Sequence, residues 1–384
     1  MKIVSVVGAR PNFMKIAPFI RAVDRYNAEN NGKVIIHKLV HTGQHYDSRM
    51  SDAFFSDLGI PEPDINLGIG SGSHAEQVGK TMIEFEKVLR AEKPDWVVVV
   101  GDVNATLACS VTAKKENIRC CHIEAGLRSG DMTMPEEINR IVTDRLSDLL
   151  LVPDEISQAN LLSEGVEERR IVNTGNIMID TLEANIDSAL KLRLTEIIRV
   201  NIFPGTEIPE ETDLDFAFIT LHRPSNVDNP EVLKQITAFI ADNAASKIRI
   251  VWPVHPRTEE RLKENGLLTL LLKNKNIHLL KPVTYREALR LNSSAKVVIT
   301  DSGGLQEECT VLGTPCLTLR NNTERPVTLR ENGGTSVLTG NNIEKITEEF
   351  LKSLFLPRKP FRPPLWDGKT ADRCVRALVL QGDG

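Results

Sequence analysis

The sequence predicts an α/β protein of two consecutive units, each a parallel sheet flanked by helices. Three observations carry that prediction. Short apolar runs alternate with stretches of helical period along the chain, which is the pattern of parallel α/β architecture. The 384 residues exceed what one ordinary hydrophobic core organises. Charged or titratable residues recur just after the apolar runs, where open parallel sheets place their ligands.

In order, the first series of strand-like runs is Ile3–Val7, Val34–Val40, Trp96–Val100, Cys120–Ile123 and Leu149–Val152, with amphipathic stretches such as Met14 to Tyr26 and His74 to Arg90 between them. A second series follows Asn173-Thr174-Gly175-Asn176: Phe216–Leu221, Ile248–Pro253, Ile277–Leu280, Lys296–Thr300, Pro315–Leu319 and Ser336–Leu338. The expected division is residues 1–172 for the first unit and 173–365 for the second. The tail 366–384 is helix-like and follows the proline-rich stretch Leu356 to Pro364, so it is expected to cross back to the first unit. The pattern is that of two Rossmann-like lobes sharing a cleft.

Composition narrows the function classes. The chain is 41 % apolar and 26 % charged, as in a soluble globular protein, and its net charge is −5. No global basic field exists for nucleic acid or anionic lipid, so any anion site is local. The N-terminus runs directly into a strand, and the longest apolar runs are too short to cross a bilayer. Six cysteines show no metal-ligand spacing, and Cys120-Cys121 fall inside an apolar run; reduced thiols and a cytoplasmic protein are expected. No Gly-x-Gly-x-x-Gly follows the first strand, so no nicotinamide cofactor is expected, and no metal either.

The strand ends carry the chemistry. The first leads into Gly8-Ala9-Arg10-Pro11 with Lys15 shortly after, the third into Gly101-Asp102, and the fourth into Glu124-Ala125-Gly126-Leu127-Arg128. In the second series they lead into His222-Arg223, Val254-His255-Pro256 and Asp301-Ser302-Gly303-Gly304. This last junction is the most informative. Two glycines at a strand-to-helix turn remove Cβ atoms where something approaches the backbone closely, and the helix N-terminus beyond them suits a phosphate. Glu308, about one turn into that helix, is placed to accept hydrogen bonds from sugar hydroxyls. A further acidic pair opens the helix-like segment Met134-Pro135-Glu136-Glu137. A helix-start role accounts for Glu137, whereas Glu136 is the better catalytic candidate.

Taken in order, Gly8 to Pro11, Thr42-Gly43-Gln44-His45, Gly101-Asp102, His122 to Arg128, Pro135 to Arg140, His222-Arg223, Pro253 to Pro256, Asp301 to Glu308 and Thr323-Glu324-Arg325-Pro326 resemble the non-hydrolysing UDP-N-acetylglucosamine 2-epimerases. The resemblance runs through Asp367-Gly368-Lys369 and so spans essentially the whole chain. It implies a glycosyltransferase-B-like fold, a homodimer, and an isomerase acting on a nucleotide sugar. The reaction it implies is reversible epimerisation of UDP-N-acetylglucosamine to UDP-N-acetylmannosamine, by anti elimination of UDP and re-addition through a 2-acetamidoglucal, supplying N-acetylmannosamine for polysaccharide or glycan biosynthesis.

By the same resemblance Asp102, Glu124 and Glu136 are the catalytic carboxylates, and His222 is the catalytic histidine, acting at the leaving phosphate. Arg10, Lys15, His222, Ser302, Gly303 and Gly304 are expected to supply the cradle for the UDP diphosphate, His255 to bind UDP, and Glu308 to bind the uridine ribose. Tyr285 is either near the uracil or a packed strand-to-helix tyrosine. Gln44 and His45 match an effector-side motif, but the loop Gly68 to His74 lacks the arginine that accompanies it in relatives. The alternatives carried forward are the same elimination on a UDP-2,3-diacetamido uronic acid and a UDP-sugar glycosyltransferase on the same fold.

Overall fold

The computed structural model describes residues 1–8, 10–30, 34–43, 61–206 and 215–382, with the backbone alone at 10 and 11. It divides into two compact units, one of Met1–Thr181 with Pro363–Gly384 and the other of Leu182–Arg362. Each is built on its own sheet, and every pairing of one sheet strand with another among the described residues is parallel, a single antiparallel bridge joining Ile202 to Leu280.

In the first unit the strands are β1 (Lys2–Val7), β2 (Ile36–His41), β3 (Ile65–Asn66), β4 (Trp96–Val100), β5 (Arg119–Ile123), β6 (Leu149–Val152) and β7 (Ile171–Asn173), in the spatial order β3-β2-β1-β4-β5-β6-β7. In the second they are β8 (Phe216–Thr220), β9 (Arg249–Pro253), β10 (Ile277–Leu280), β11 (Val297–Thr300), β12 (Cys316–Thr318) and β13 (Ser336–Leu338), in the order β10-β9-β8-β11-β12-β13. Both orders run outward from a first strand and then reverse, as in a doubly wound dinucleotide-type fold. The reversal lies between β1 and β4 in one sheet and between β8 and β11 in the other. Ligands of open α/β sheets bind beyond the strand ends at that point.

Helices cover both faces of each sheet, so central strands read as unbroken apolar runs rather than alternating ones. All five residues of β4, Trp-Val-Val-Val-Val, are buried. The 2-residue β3 and 3-residue β7 were not legible as strands, because neither is long enough to show a periodicity. The expected second strand starts two residues late, at Ile36, and Val34 ahead of it is 60 % exposed.

The tail packs within the first unit. Trp366 is buried and donates its indole N–H to the Pro153 carbonyl at 2.9 Å. Asp180 accepts from the first N–H groups of helix Thr370–Gly382, Thr370 at 3.0 Å and Ala371 at 2.7 Å, and so satisfies donors a helix start leaves without partners. All six cysteines are free and buried. No helix of the described residues is long and apolar enough to cross a membrane.

Candidate active site

In the first unit the polar residues gather at the switch point between β1 and β4 and along the neighbouring end of β5. Helix Arg10–Glu29 follows β1 and carries Asn12 and Lys15. Asn12 donates to the Val100 carbonyl at 2.7 Å, which ties the helix start to the end of β4. The Lys15 ammonium is ion-paired with Glu124, and both side chains are buried. Gly101 sits against this pair with φ +68°: a Cβ there would lie 3.0 Å from Lys15 Nζ, 3.2 Å from Asn12 Nδ2 and 3.4 Å from Glu124 Oε2. Only glycine adopts that backbone and leaves that space without strain.

Glu124 itself has φ +74°, an uncommon conformation for a side chain of its size. Its N–H and that of Ala125 both reach the Leu151 carbonyl, at 3.0 and 3.1 Å, so β6 pins the turn that aims the carboxylate. Strain of this kind persists where surrounding contacts over-determine the backbone, and it concentrates at functional positions.

Asp102 pairs with Arg140, a fully buried arginine of helix Pro135–Leu146. Arg140 also binds Glu137, Nη2 to Oε2 at 2.5 Å, and Glu137 accepts the Ser129 and Gly130 N–H groups at 3.0 and 2.8 Å. Burial works to raise the Glu137 carboxyl, but these N–H donors and Arg140 hold it below its ordinary value. Glu137 is therefore a structural acid that fixes the loop before its helix. Glu136, one residue earlier, is half-buried and pairs with no described residue.

In the second unit the site forms between β8 and β11. Asp301, fully buried at the end of β11, accepts the His222 and Arg223 N–H groups at 3.0 and 2.9 Å and contacts His222 Nδ1 at 2.9 Å. Burial alone would raise its carboxyl, but His222 and these backbone donors hold it below the usual range. A carboxylate on Nδ1 fixes the orientation of the imidazole. The His222 side chain is 41 % exposed, so it is not a sealed core histidine. His255 lies beside it, with ring centroids 5.6 Å apart. Its Nδ1 caps helix Pro256–Glu264 by accepting from Arg257 N at 3.2 Å, which leaves the N–H on Nε2.

Ser302 precedes helix Gly303–Leu312, and its side chain does not cap the helix. A Cβ on Gly303 would meet Arg325 Nη1 at 2.7 Å and Glu324 Oε1 at 2.8 Å. The close approach anticipated at this glycine is made by the protein's own Arg325 and Glu324 side chains. Arg325 also donates Nε–H to Glu307 at 2.7 Å, and Glu324 accepts from Arg320 at 2.7 Å, so four buried charges alternate in sign behind the turn.

Glu308 is buried one turn into the same helix. Burial pushes its carboxyl up to about 7, the charge of Glu307 adds to this, and Tyr285 and Asn292 oppose it. Tyr285 opens helix Tyr285–Ser294, whose start is set by a capping box between Thr284 and Glu287. Its phenol faces Glu308 and is pushed well above its ordinary value by burial and that neighbour.

Of the residues expected at the site, Lys15, Asp102, Glu124 and Glu136 lie on strand ends or the helix start of the first unit. His222, His255, Tyr285, Ser302, Gly303, Gly304 and Glu308 lie in the second. Arg10 begins its helix, but its side chain lies outside the described residues, as do Gln44 and His45. Lys15 was expected at the diphosphate, and its ammonium is engaged with Glu124. Arg140 was passed over as a site residue. Its signal is a helix whose inward face is polar, Glu137, Arg140, Thr143 and Asp144 being buried while Ile138 is 44 % exposed.

The UDP-N-acetylglucosamine 2-epimerase family model matches residues 28–379. A relative from Methanocaldococcus jannaschii named UDP-N-acetylglucosamine 2-epimerase is 43 % identical over 380 residues, 99 % of each chain. One from Pseudomonas aeruginosa, named UDP-2,3-diacetamido-2,3-dideoxy-D-glucuronate 2-epimerase, is 38 % identical over 360 residues, 92 % of each chain. A crystal structure of Methanocaldococcus jannaschii UDP-GlcNAc 2-epimerase in complex with UDP-GlcNAc and UDP is similar with a TM-score of 0.87 at 42 % identity, covering 99 % of this chain and 100 % of that one. Fold, strand-end residues and whole-length similarity agree, and this chain belongs to the UDP-N-acetylglucosamine 2-epimerase family.

Proposed function

We propose that the chain is a non-hydrolysing epimerase that interconverts UDP-N-acetylglucosamine and UDP-N-acetylmannosamine. The observation that carries the reading is the set of three carboxylates in three electrostatic settings: Glu124 against Lys15, Asp102 against Arg140, and Glu136 with no cation among the described residues. The hydrogen at carbon 2 is not adjacent to a carbonyl and is not acidic. It becomes removable when the bond from carbon 1 to UDP breaks first and positive charge develops at the ring. Anions beside that ring stabilise the charge, and one of them takes the proton.

In the proposed sequence Glu124 accepts the proton from carbon 2 as UDP leaves, giving UDP and 2-acetamidoglucal. Glu136, having taken a proton from solvent, then delivers it to carbon 2 from the opposite face as UDP returns to carbon 1, and Glu124 gives its proton up to solvent. Asp102, fixed by Arg140, stabilises the ring cation. His222, oriented by Asp301, bears on the leaving phosphate through Nε2. The N–H groups at Ser302-Gly303-Gly304, with His255 and Arg10, hold the diphosphate. Glu308 accepts from the ribose hydroxyls. A homodimer and a cytoplasmic location belong to the same proposal.

Incubation with UDP-N-acetylglucosamine, and separately with UDP-N-acetylmannosamine, is expected to reach one common mixture of the two. Free N-acetylmannosamine with UDP would mean a hydrolase. The Pseudomonas aeruginosa relative supports a second reading, the same chemistry on a UDP-2,3-diacetamido uronic acid; conversion of that sugar and not of UDP-N-acetylglucosamine would select it.

Glu308 gives a pH test. Its carboxyl is raised to about 7, and ribose hydroxyls donate to the ionised form. UDP affinity is therefore full above about pH 7 and falls as pH drops below it, approaching a tenfold loss per unit. Titration calorimetry on wild type and Glu308→Gln across this range gives a difference profile free of the ligand's own ionisation. Parallel profiles would remove Glu308 from the ribose.

A further inference from the structure

We infer that His122 is the positioning residue of the catalytic turns, holding both as an imidazole that carries two N–H groups. The inference rests on Asp102 and Glu124 being the catalytic carboxylates. His122 lies on β5 with no solvent exposure. Its Nδ1 is 2.6 Å from Asp144 Oδ1 and its Nε2 is 2.8 Å from the Gly101 carbonyl oxygen. A carbonyl can only accept, and so can an ionised carboxylate. A neutral ring has one N–H, and either tautomer would set a ring lone pair against an oxygen at hydrogen-bond distance. Two N–H groups satisfy both contacts.

The alternative, a protonated Asp144 donating to a neutral ring, is opposed by the other partners of Asp144. Its Oδ2 accepts from the Gly126 N–H at 3.0 Å and from Arg128 Nη1 at 2.7 Å. The Arg128 guanidinium and the Gly126 N–H both favour the ionised carboxylate. Arg128 is in turn held by Glu164, Nε to Oε1 at 2.7 Å and Nη2 to Oε2 at 2.8 Å. The four groups form a chain of alternating sign, and His122 completes its balance.

The position of this chain gives it a role. Through the Gly101 carbonyl, His122 holds the left-handed turn from which Asp102 emerges. Through Asp144 and the Gly126 N–H, it holds the turn that contains Glu124 at φ +74°. One ring and one carboxylate thereby fix the spacing of two catalytic groups that come from different strands. His122 touches neither carboxylate, so it acts through the backbone.

The test has a spectroscopic and a kinetic arm. Nitrogen–proton correlation of the histidine rings in the wild-type protein is expected to show protons on both nitrogens of His122. A ring with one protonated nitrogen would overturn the inference, with no variant required. In a folded His122→Gln protein, whose amide nitrogen can donate toward one of the two acceptors while its oxygen cannot donate to the other, kcat for the epimerisation is expected to fall at least ~10-fold. UDP affinity should stay within about twofold, because the nucleotide residues of the second unit are untouched. Wild-type kcat in that variant, or equal losses of kcat and UDP affinity, would overturn it. Absence of epimerase activity in the wild type would fault the functional reading instead, and the ring protons would still decide the case for His122.

Discussion

Glu124→Gln is expected to lower kcat by about 10²- to 10⁴-fold while UDP still binds, the loss typical of removing a general base. The amide is nearly the same shape and can rest against Lys15, so the turn is kept and the proton acceptor is lost. Glu136→Gln should produce a loss of similar size by a different route: elimination proceeds, the second protonation fails, and 2-acetamidoglucal accumulates with UDP. Glu136 has no described partner to lose, so that variant should unfold like wild type. Product analysis by NMR separates the two. Glucal release from neither variant, with turnover intact in both, would remove these carboxylates from the chemistry.

Arg325→Met is expected to cost about 3–5 kcal/mol of folding stability in the second unit, the penalty for stranding a buried charge. Glu307 is 1 % exposed and loses the Nε–H donor it holds at 2.7 Å, while Glu324 keeps Arg320. The side chain also fills space against Gly303, so the helix start should loosen with it. The double variant Arg325→Met/Glu307→Gln should recover part of the loss, because it removes the stranded charge. Urea unfolding monitored within the second unit measures both. A change below about 1 kcal/mol for the single variant would show that the network is solvated in solution.

The sequence made the sheets legible because buried parallel strands are continuous apolar runs, and β4, β6 and β11 could hardly be read otherwise. Asp102, Glu124, His222 and Asp301 were legible for a related reason. Each sits at or just past the end of such a run, where side chains face the ligand side of the sheet. Glu136 and Glu137 both read as acids of a helix start, but the partners of Glu137, Arg140 and the Ser129 and Gly130 N–H groups, could not be read from that position.

What could not be read is who meets whom across sequence distance. His122 reads as one more residue of an apolar run, and only the fold brings Asp144 and the Gly101 carbonyl to its two nitrogens. Lys15 reads as a phosphate ligand, because nothing local indicates that Glu124, 109 residues later, will hold its ammonium. Gly303 reads as space for a ligand, and Arg325 occupies its far side. Strands as short as β3 and β7 exist because a neighbour offers hydrogen bonds, which no local pattern encodes.

The most direct measurement of the central claim is the fate of the hydrogen at carbon 2. The protein is incubated with UDP-N-acetylglucosamine in deuterated water, with no acceptor present, and the nucleotide sugars are followed by NMR and mass spectrometry. Elimination and re-addition predict one solvent deuterium at carbon 2 of UDP-N-acetylmannosamine, and of the recovered UDP-N-acetylglucosamine as reversal proceeds. Conversion with the original hydrogen retained at carbon 2 would contradict the account.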